Sequence, residues 1–349
     1  MIGLCLFLAL TAQGPTADVV QHVQAGISAE KLGQHDAAIA EFRKAAELDP
    51  DFAVAYVNLG TVLMGERKYA EAITPLKRAV LLDPSILGAQ EMLGYALLFQ
   101  GYAAASIPYF QTANNKGALG IAQLETGDLG DAIPDLQVGL EQHPNDPELL
   151  SNLARATGIL SRQAKDDLLS AHPDSAQAHE VLAEDYWALQ RAADAEKEYR
   201  AALHMQADLP GAHLGLGQIY ENTQQWQKAE QEFQAEAKLR PGSAEAAYRL
   251  GNALLENGKA PAAKVELTRA DTLQPDMPET LYALGKAEAL DGNSQAAEKD
   301  WNRLLVLEKD TALAEKAHFG LAGVYRKLGR PADAAREMKA YEELKSAGK

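Results

Sequence analysis

The sequence predicts an all-α chain of stacked helix pairs. Three observations carry this. A pattern of small and apolar residues recurs every 34 residues, so that Pro50 and Pro84 each close a near-copy of it. Within each period, apolar residues fall at i, i+3, i+4 and i+7, the spacing of one helix face. No segment of useful length alternates with the two-residue period of a strand.

The pattern can be followed element by element. The first copy reads His22-x-x-Ala25-Gly26-x-x-Ala29, then Gly33, Ala38, Phe42, Ala45 and Pro50. The second reads Tyr56-x-x-Leu59-Gly60-x-x-Leu63, then Ala72, Leu76, Ala79 and Pro84. It returns at Leu216-Gly217 with Tyr220, Ala229, Phe233 and Pro241, and at Leu250-Gly251 with Leu254, Gly258, Ala263, Leu267, Ala270 and Pro275. Each copy predicts two helices, A and B. Gly26, Gly60, Gly94, Gly120, Gly217, Gly251 and Gly285 share one offset of helix A, where helix B is expected to cross too closely for a side chain. Seven residues later, Gly33, Gly101, Gly127, Gly258, Gly292 and Gly329 are expected to end helix A in the left-handed conformation.

Helix B then opens its packed face with Ala38, Ala72, Ala132, Ala195, Ala229, Ala263, Ala297 or Ala334. Four residues on stands a large anchor: Phe42, Leu76, Phe110, Leu136, Tyr199, Phe233, Leu267, Trp301 or Met338. The closing proline cannot continue helix B and marks the turn into the next unit. The last helix is expected to act as a solvating cap, with Met338, Tyr341 and Leu344 inward and Glu337, Lys339, Glu342, Glu343 and Lys345 toward water.

Ten units are expected, starting near Val19, Ala53, Leu87, Ala113, Pro147, Ala176, Pro210, Ala244, Pro278 and Glu315. The third is shortened, the fifth is short and has Ala154 in place of the helix-A glycine, and the ninth is stretched. Irregularity is therefore expected near residues 108–116 and 147–175. Pro75, Pro108 and Pro134 fall at nearly the same offset of helix B in units two to four. A proline deep in a helix costs about 3 kcal/mol, whereas the first turn tolerates it. These helices are expected to begin late or to bend there.

The 34-residue spacing with these residues resembles the tetratricopeptide repeat family, over nearly all of residues 18–349. The resemblance implies a right-handed superhelical α-solenoid, one continuous array and no catalytic machinery. It also implies a concave groove, lined by helix-A positions 2, 5, 9, 12 and 13, that holds a protein or peptide partner. Carried over residue by residue, the early units supply Val20, Val23, Ile27, Val54, Val57, Met64, Tyr95, Leu98, Phe99, Ile121 and Leu124. The later units supply Arg155, Glu184, Trp187, Gln218, Tyr248, Asn252, Tyr282, Lys286 and Arg326. The early stripe is apolar for a surface, and exposed apolar patches often mark interaction sites. The later stripe is aromatic and polar, a composition suited to adaptable recognition. A family variant clamps peptide C-termini with Lys and Asn. Asn58 and Asn152 match one Asn offset, but Val23, Val57 and Ser151 occupy the Lys offset, so that clamp is not expected.

The chain has 349 residues and a net charge of −16. That balance speaks against nonspecific nucleic-acid binding, which needs a basic face, and against adhesion to anionic membranes. Residues 1–17 hold an apolar run, Ile2–Leu10, followed by Thr11-Ala12-Gln13-Gly14-Pro15. The run is shorter than the roughly 20 residues of a membrane span and fits a signal peptide cut near Ala12, although no Lys or Arg precedes it. Export to a periplasmic or extracellular space is expected. Cys5, the single cysteine, lies inside this run behind Leu4, a poor lipidation context.

His22, His179 and His213 share one helix-A offset and are read as replacements for the aromatic residue usual there rather than as a metal pair. Ser28-x-x-Lys31 lacks the companion motifs of an acyl-enzyme, and Gly215-Leu216-Gly217 lies within a helix rather than after a strand. No enzyme, metal or cofactor is expected. The principal alternative to groove binding is a structural subunit of a cell-envelope or secretion assembly that makes contact through its convex face or a terminus.

Overall fold

The structure, a computed structural model, describes residues 14–347; the apolar run and Cys5 lie outside them. Among the described residues there are 19 helices and no strand, with 80% of the chain helical. They form two compact units that divide between Ala164 and Lys165.

In the first unit, α1 (Ala17–Lys31) pairs with α2 (His35–Leu48), α3 (Ala53–Gly65) with α4 (Tyr69–Leu82), α5 (Leu87–Phe99) with α6 (Ala103–Ala113), and α7 (Lys116–Glu125) with α8 (Leu129–Gln142). A single long helix, α9 (Pro147–Ala171), closes this unit and opens the second. There α10 (Ala176–Ala188) pairs with α11 (Ala192–Met205), α12 (Ala212–Asn222) with α13 (Trp226–Leu239), α14 (Ala244–Glu256) with α15 (Ala260–Leu273), α16 (Pro278–Leu290) with α17 (Ser294–Leu307), and α18 (Ala312–Lys327) with α19 (Pro331–Ala347).

Seven of the nine pairs are locked by a glycine in the first helix and an anchor sixteen residues later; in α10–α11 and α18–α19 the buried Ala183 and Ala322 hold the glycine's place. A methyl group on Gly26 would stand 2.6 Å from the Phe42 ring, on Gly217 2.5 Å from Phe233, and on Gly285 2.5 Å from Trp301. At Gly120 it would also meet the backbone nitrogen of Leu136 at 2.8 Å. The small residues that open the second helix, Ala38 through Ala334, are all buried. Pairing thus brings the helices within backbone reach, and the anchor fills the space that remains.

Six expected glycines end their helices with φ between +69° and +85°. Arg67, Gln190 and Gln224 occupy the same turn with φ of 56–60°. The stack imposes the left-handed turn there without help from the residue, at a cost of roughly 1–2 kcal/mol each.

Three expectations are corrected. The late start expected for three helices is not found: Pro75, Pro108 and Pro134 lie in the second turn of helices that begin on time, at Tyr69, Ala103 and Leu129. The first turn cannot be given up, because Ala72, Ala103 and Ala132 are buried in it. The carbonyls that lose a donor belong to Glu71, Ala104 and Gly130, all exposed, so water can replace the missing amide. The fifth unit is not a pair: α9 runs 25 residues without interruption, giving nine pairs and one lone helix. No left-handed glycine divides it, and Gly158 sits inside the helix with nothing near it. Last, Glu337, expected to face water with Lys339, Glu342, Glu343 and Lys345, is buried, because it accepts a hydrogen bond from His318 Nδ1 at 2.7 Å. Met338, Tyr341 and Leu344 are half-buried.

The shortened third repeat has a local cause. α6 has 11 residues and α7 has 10, against 13 or 14 in α3, α4 and α5. Asn114 turns the chain in the left-handed region, and Asn115 caps α7 at once, its Oδ1 accepting the Ala118 N–H at 3.0 Å.

Candidate functional site

First helices of neighbouring pairs lie side by side: α3 with α5 in the first unit, and α10 with α12, α14 with α16 and α16 with α18 in the second. These contacts place the helix-A residues of successive repeats on adjoining surfaces.

In the first unit the structure sorts the candidates. Val57 is 8% exposed and packs with Ala79 and Ala89, so it belongs to the core. Val54, Asn58, Met64 and Leu98 are half-buried, and Met64 and Leu98 flank core clusters. Tyr95 and Phe99 form the prominent feature. Phe99 is 51% exposed. It stacks on Tyr95 (ring centroids 5.9 Å apart) and leans on Tyr69 at 4.7 Å, while Tyr95 meets Phe110 edge-on at 5.0 Å. The exposed ring is therefore held in place by its neighbours, as a preorganised contact requires. Arg155 is exposed and pairs with Glu125.

Beside this aromatic cluster lies a cavity of about 420 Å³ between α5, α7, α8 and the start of α9. Tyr95 walls it, and Glu91, Asp146 and Glu148 line it. Asn115 Nδ2 donates to Glu91 Oε1 at 2.6 Å and to the Tyr95 hydroxyl at 3.2 Å. Burial holds the Tyr95 phenol above its ordinary range; the bond from Asn115 opposes this, and the carboxylates of Glu91, Glu148 and Asp146 add to it. Gly117 and Gly139 close the floor: a methyl group on Gly139 would stand 2.7 Å from Gly117 Cα.

In the second unit Asn252 and Lys286 are tied into polar links between repeats. Asn252 Nδ2 donates to Glu221 Oε1 at 3.1 Å, and Arg249 Nη1 to Glu221 Oε2 at 2.8 Å. Lys286 Nζ donates to Glu256 at 2.6 Å. Trp187, Tyr248 and Tyr282 are half-buried, and Arg326 is exposed. Burial raises the phenols of Tyr248 and Tyr282, with carboxylates adding to the effect.

The histidine offset has a structural use. His22, His179, His213 and His318 each place Nδ1 2.6–2.7 Å from a glutamate nineteen residues later, namely Glu41, Glu198, Glu232 and Glu337. Lys116 reaches Asp135 at 2.7 Å in the same register. Each imidazole is thus bonded within its own repeat. His213 also directs Nε2 to the Ala207 carbonyl at 3.1 Å, so both ring nitrogens face acceptors. The bond to Glu232 raises its pKa first, burial opposes, and the Ala207 carbonyl and the Glu236 charge add to the rise.

A pH prediction follows from the sign of this shift. The stabilisation is fully present below the unfolded value of about 6.5 and is lost as pH rises through the higher folded value. Hydrogen exchange in α12 and α13, corrected for intrinsic rate, should be slower at pH 6 than at pH 8. Glu232→Gln should remove most of that difference; an unchanged difference would refute the role of the pair.

Sequence reasoning missed Tyr69, Glu91, Asn115 and Phe319. Phe319 sits at helix-A position 5 of the last repeat, is 56% exposed and lies 5.3 Å from the Tyr341 ring, so the family offsets could have found it. Tyr69 opens a B helix and Asn115 lies in the shortened loop; neither has a groove offset to signal it.

Curated relatives match over short stretches. The chain is 40% identical over 55 residues to small glutamine-rich tetratricopeptide repeat-containing protein 2 of Mycosarcoma maydis, covering 16% of each. It is 33% identical over 91 residues to DnaJ homolog subfamily C member 3 of Rattus norvegicus, 26% of this chain and 18% of that one. The chain thus spans less than a fifth of the length of these relatives. Among solved structures, MamA of Desulfovibrio magneticus aligns at 20% identity and a TM-score of 0.46, over 50% of this chain and 97% of that one. The P58(IPK) TPR domain aligns at 19% identity and a TM-score of 0.36, over 90% and 99%. A family model described as TPR repeat matches residues 31–65. The tetratricopeptide repeat model matches residues 57–115, 181–244, 214–270 and 248–314, more than half of the sequence, and the chain belongs to the tetratricopeptide repeat family.

Proposed function

We propose that this chain is a non-enzymatic scaffold that binds a protein or peptide partner on its helix-A surfaces, and that it is exported. The observation that carries the reading is Phe99, a half-exposed ring fixed between Tyr95 and Tyr69 on the face where family members hold ligands. An aromatic side chain immobilised before binding loses little entropy when a partner covers it. The apolar run Ile2–Leu10 supports export. No described helix is long and apolar enough to cross a membrane.

The test is site-specific photocrosslinking in the native host. A crosslinker at Phe99 should give a discrete adduct, while one at Leu81, 70% exposed on helix B of α4, should not. An adduct at Leu81 alone would move the contact to the helix-B face and favour the assembly-subunit alternative. Cell fractionation checks export; full retention in the cytoplasm would end that part.

A further inference from the structure

We propose that the cavity beside Phe99 receives an arginine or lysine side chain of the partner, with a neighbouring aromatic or large aliphatic side chain resting on Phe99. This rests on the groove reading above and names the chemistry of the partner: a basic segment with an apolar flank.

The cavity carries one sign of charge. Glu91, Asp146 and Glu148 line it, no Lys or Arg does, and the remaining polar lining is amide, imidazole and phenol. Asp146 is occupied as a cap, its Oδ1 accepting the N–H groups of Glu148 and Leu149 at 2.9 and 3.1 Å. Glu91 receives only the Asn115 amide, and the exposed Glu148 carboxylate stands at the rim. Like charges gathered in a walled recess focus a negative potential that a cation relieves. A guanidinium or ammonium entering here would meet the Glu148 carboxylate, the Glu91 carboxylate beside its Asn115 bond, and the Tyr95 ring, combining charge-assisted hydrogen bonds with a cation–π contact.

The volume, about 420 Å³, lies in the range of roughly 300–1,000 Å³ typical of ligand pockets. The backbone floor at Gly117 and Gly139 gives the recess a fixed depth. Phe99 stacks on the same Tyr95 that walls the cavity, so one extended segment can reach both places. The net charge of −16 speeds the approach of a basic partner to the chain, and the acidic lining of the cavity selects the place.

The experiment uses the full chain and fluorescent Gly/Ser-flanked peptides with Phe-Arg-Phe, Phe-Gln-Phe or Phe-Glu-Phe at the centre, read by anisotropy. The Arg peptide should bind at least tenfold more tightly than the Glu peptide, and added salt should narrow the gap. Glu91→Gln with Glu148→Gln should bring the three peptides within about threefold of one another. Glu47→Gln with Glu141→Gln, which removes two exposed charges outside the cavity, should leave the discrimination intact. Phe99→Ala should weaken all three. Circular dichroism confirms that each variant keeps its helicity. Equal loss in the two double variants would reduce the effect to net charge and overturn the cavity. If the three peptides bind alike and only Phe99→Ala matters, the groove stands and the cation pocket falls. If no peptide binds at millimolar concentration, both fall.

Discussion

Phe233→Ala is expected to destabilise the pair α12–α13 by about 3–5 kcal/mol. Phe233 is fully buried, and its ring fills the space left by Gly217. Removing it opens a cavity between two helices that Gly217 already lets approach closely, so little further collapse can refill it. In a repeat array each pair touches only its neighbours, so the damage should stay near α12 and α13 and their direct contacts. Hydrogen exchange resolved by segment provides the readout. Protection lost equally in α14–α19 would contradict local stability. A second substitution gives a sharper check: Gly217→Val, harmful alone because it would strike Phe233, should recover part of the loss in the Phe233→Ala background.

The second large effect is expected at Asp300. It stands in the register that holds Glu41, Glu198, Glu232 and Glu337, yet Leu281 occupies the place of the histidine. The side chain is buried, with Arg303 no nearer than 3.8 Å. Burial pushes its carboxyl up to about 6; Arg303 opposes and Glu288 adds. The unfolded chain ionises this group near pH 4, and the folded chain near pH 6. Between those values the folded state holds a proton that the unfolded state has released. Stability therefore falls as pH rises from about 4 to 6 and is level above, by a total of order 3 kcal/mol. Asp300→Asn should stabilise α16–α17 at pH 7 by roughly 1–3 kcal/mol, with the advantage vanishing toward pH 4. Exchange protection that shows no gain at pH 7, or the same gain at pH 4, would defeat this reading.

Much of the helix packing was legible because glycine and its anchor speak through volume. Gly26 with Phe42, or Gly285 with Trp301, encodes an approach too close for a side chain at the glycine. What escaped depended on context. Arg67, Gln190 and Gln224 adopt a glycine conformation because the stack demands it, and nothing in those side chains announces it. The prolines of α4, α6 and α8 are tolerated where the orphaned carbonyls belong to exposed residues, a property of the fold and not of the proline. α9 occupies the length of a shortened repeat, and no turn residue within it breaks the helix. For the candidate site, Tyr95 and Phe99 followed from family offsets. The cavity beside them arises from the two-residue join at Asn114 and Asn115, and such a join specifies no surface until neighbouring helices are placed around it.

The sixteen-residue interval between glycine and anchor bears on how the chain folds in time. Ion pairs within a repeat join residues 19 apart, and links between repeats, such as Arg249–Glu221 and Arg303–Asp271, join residues 28 to 32 apart. Both are short loops in a chain of 349 residues. Closing short loops costs little entropy, and folds built from near-neighbour contacts form quickly. A helix pair cannot bury its apolar face alone, but what completes the burial is the adjacent pair and not a distant segment, so the core can grow in the order in which the chain is made.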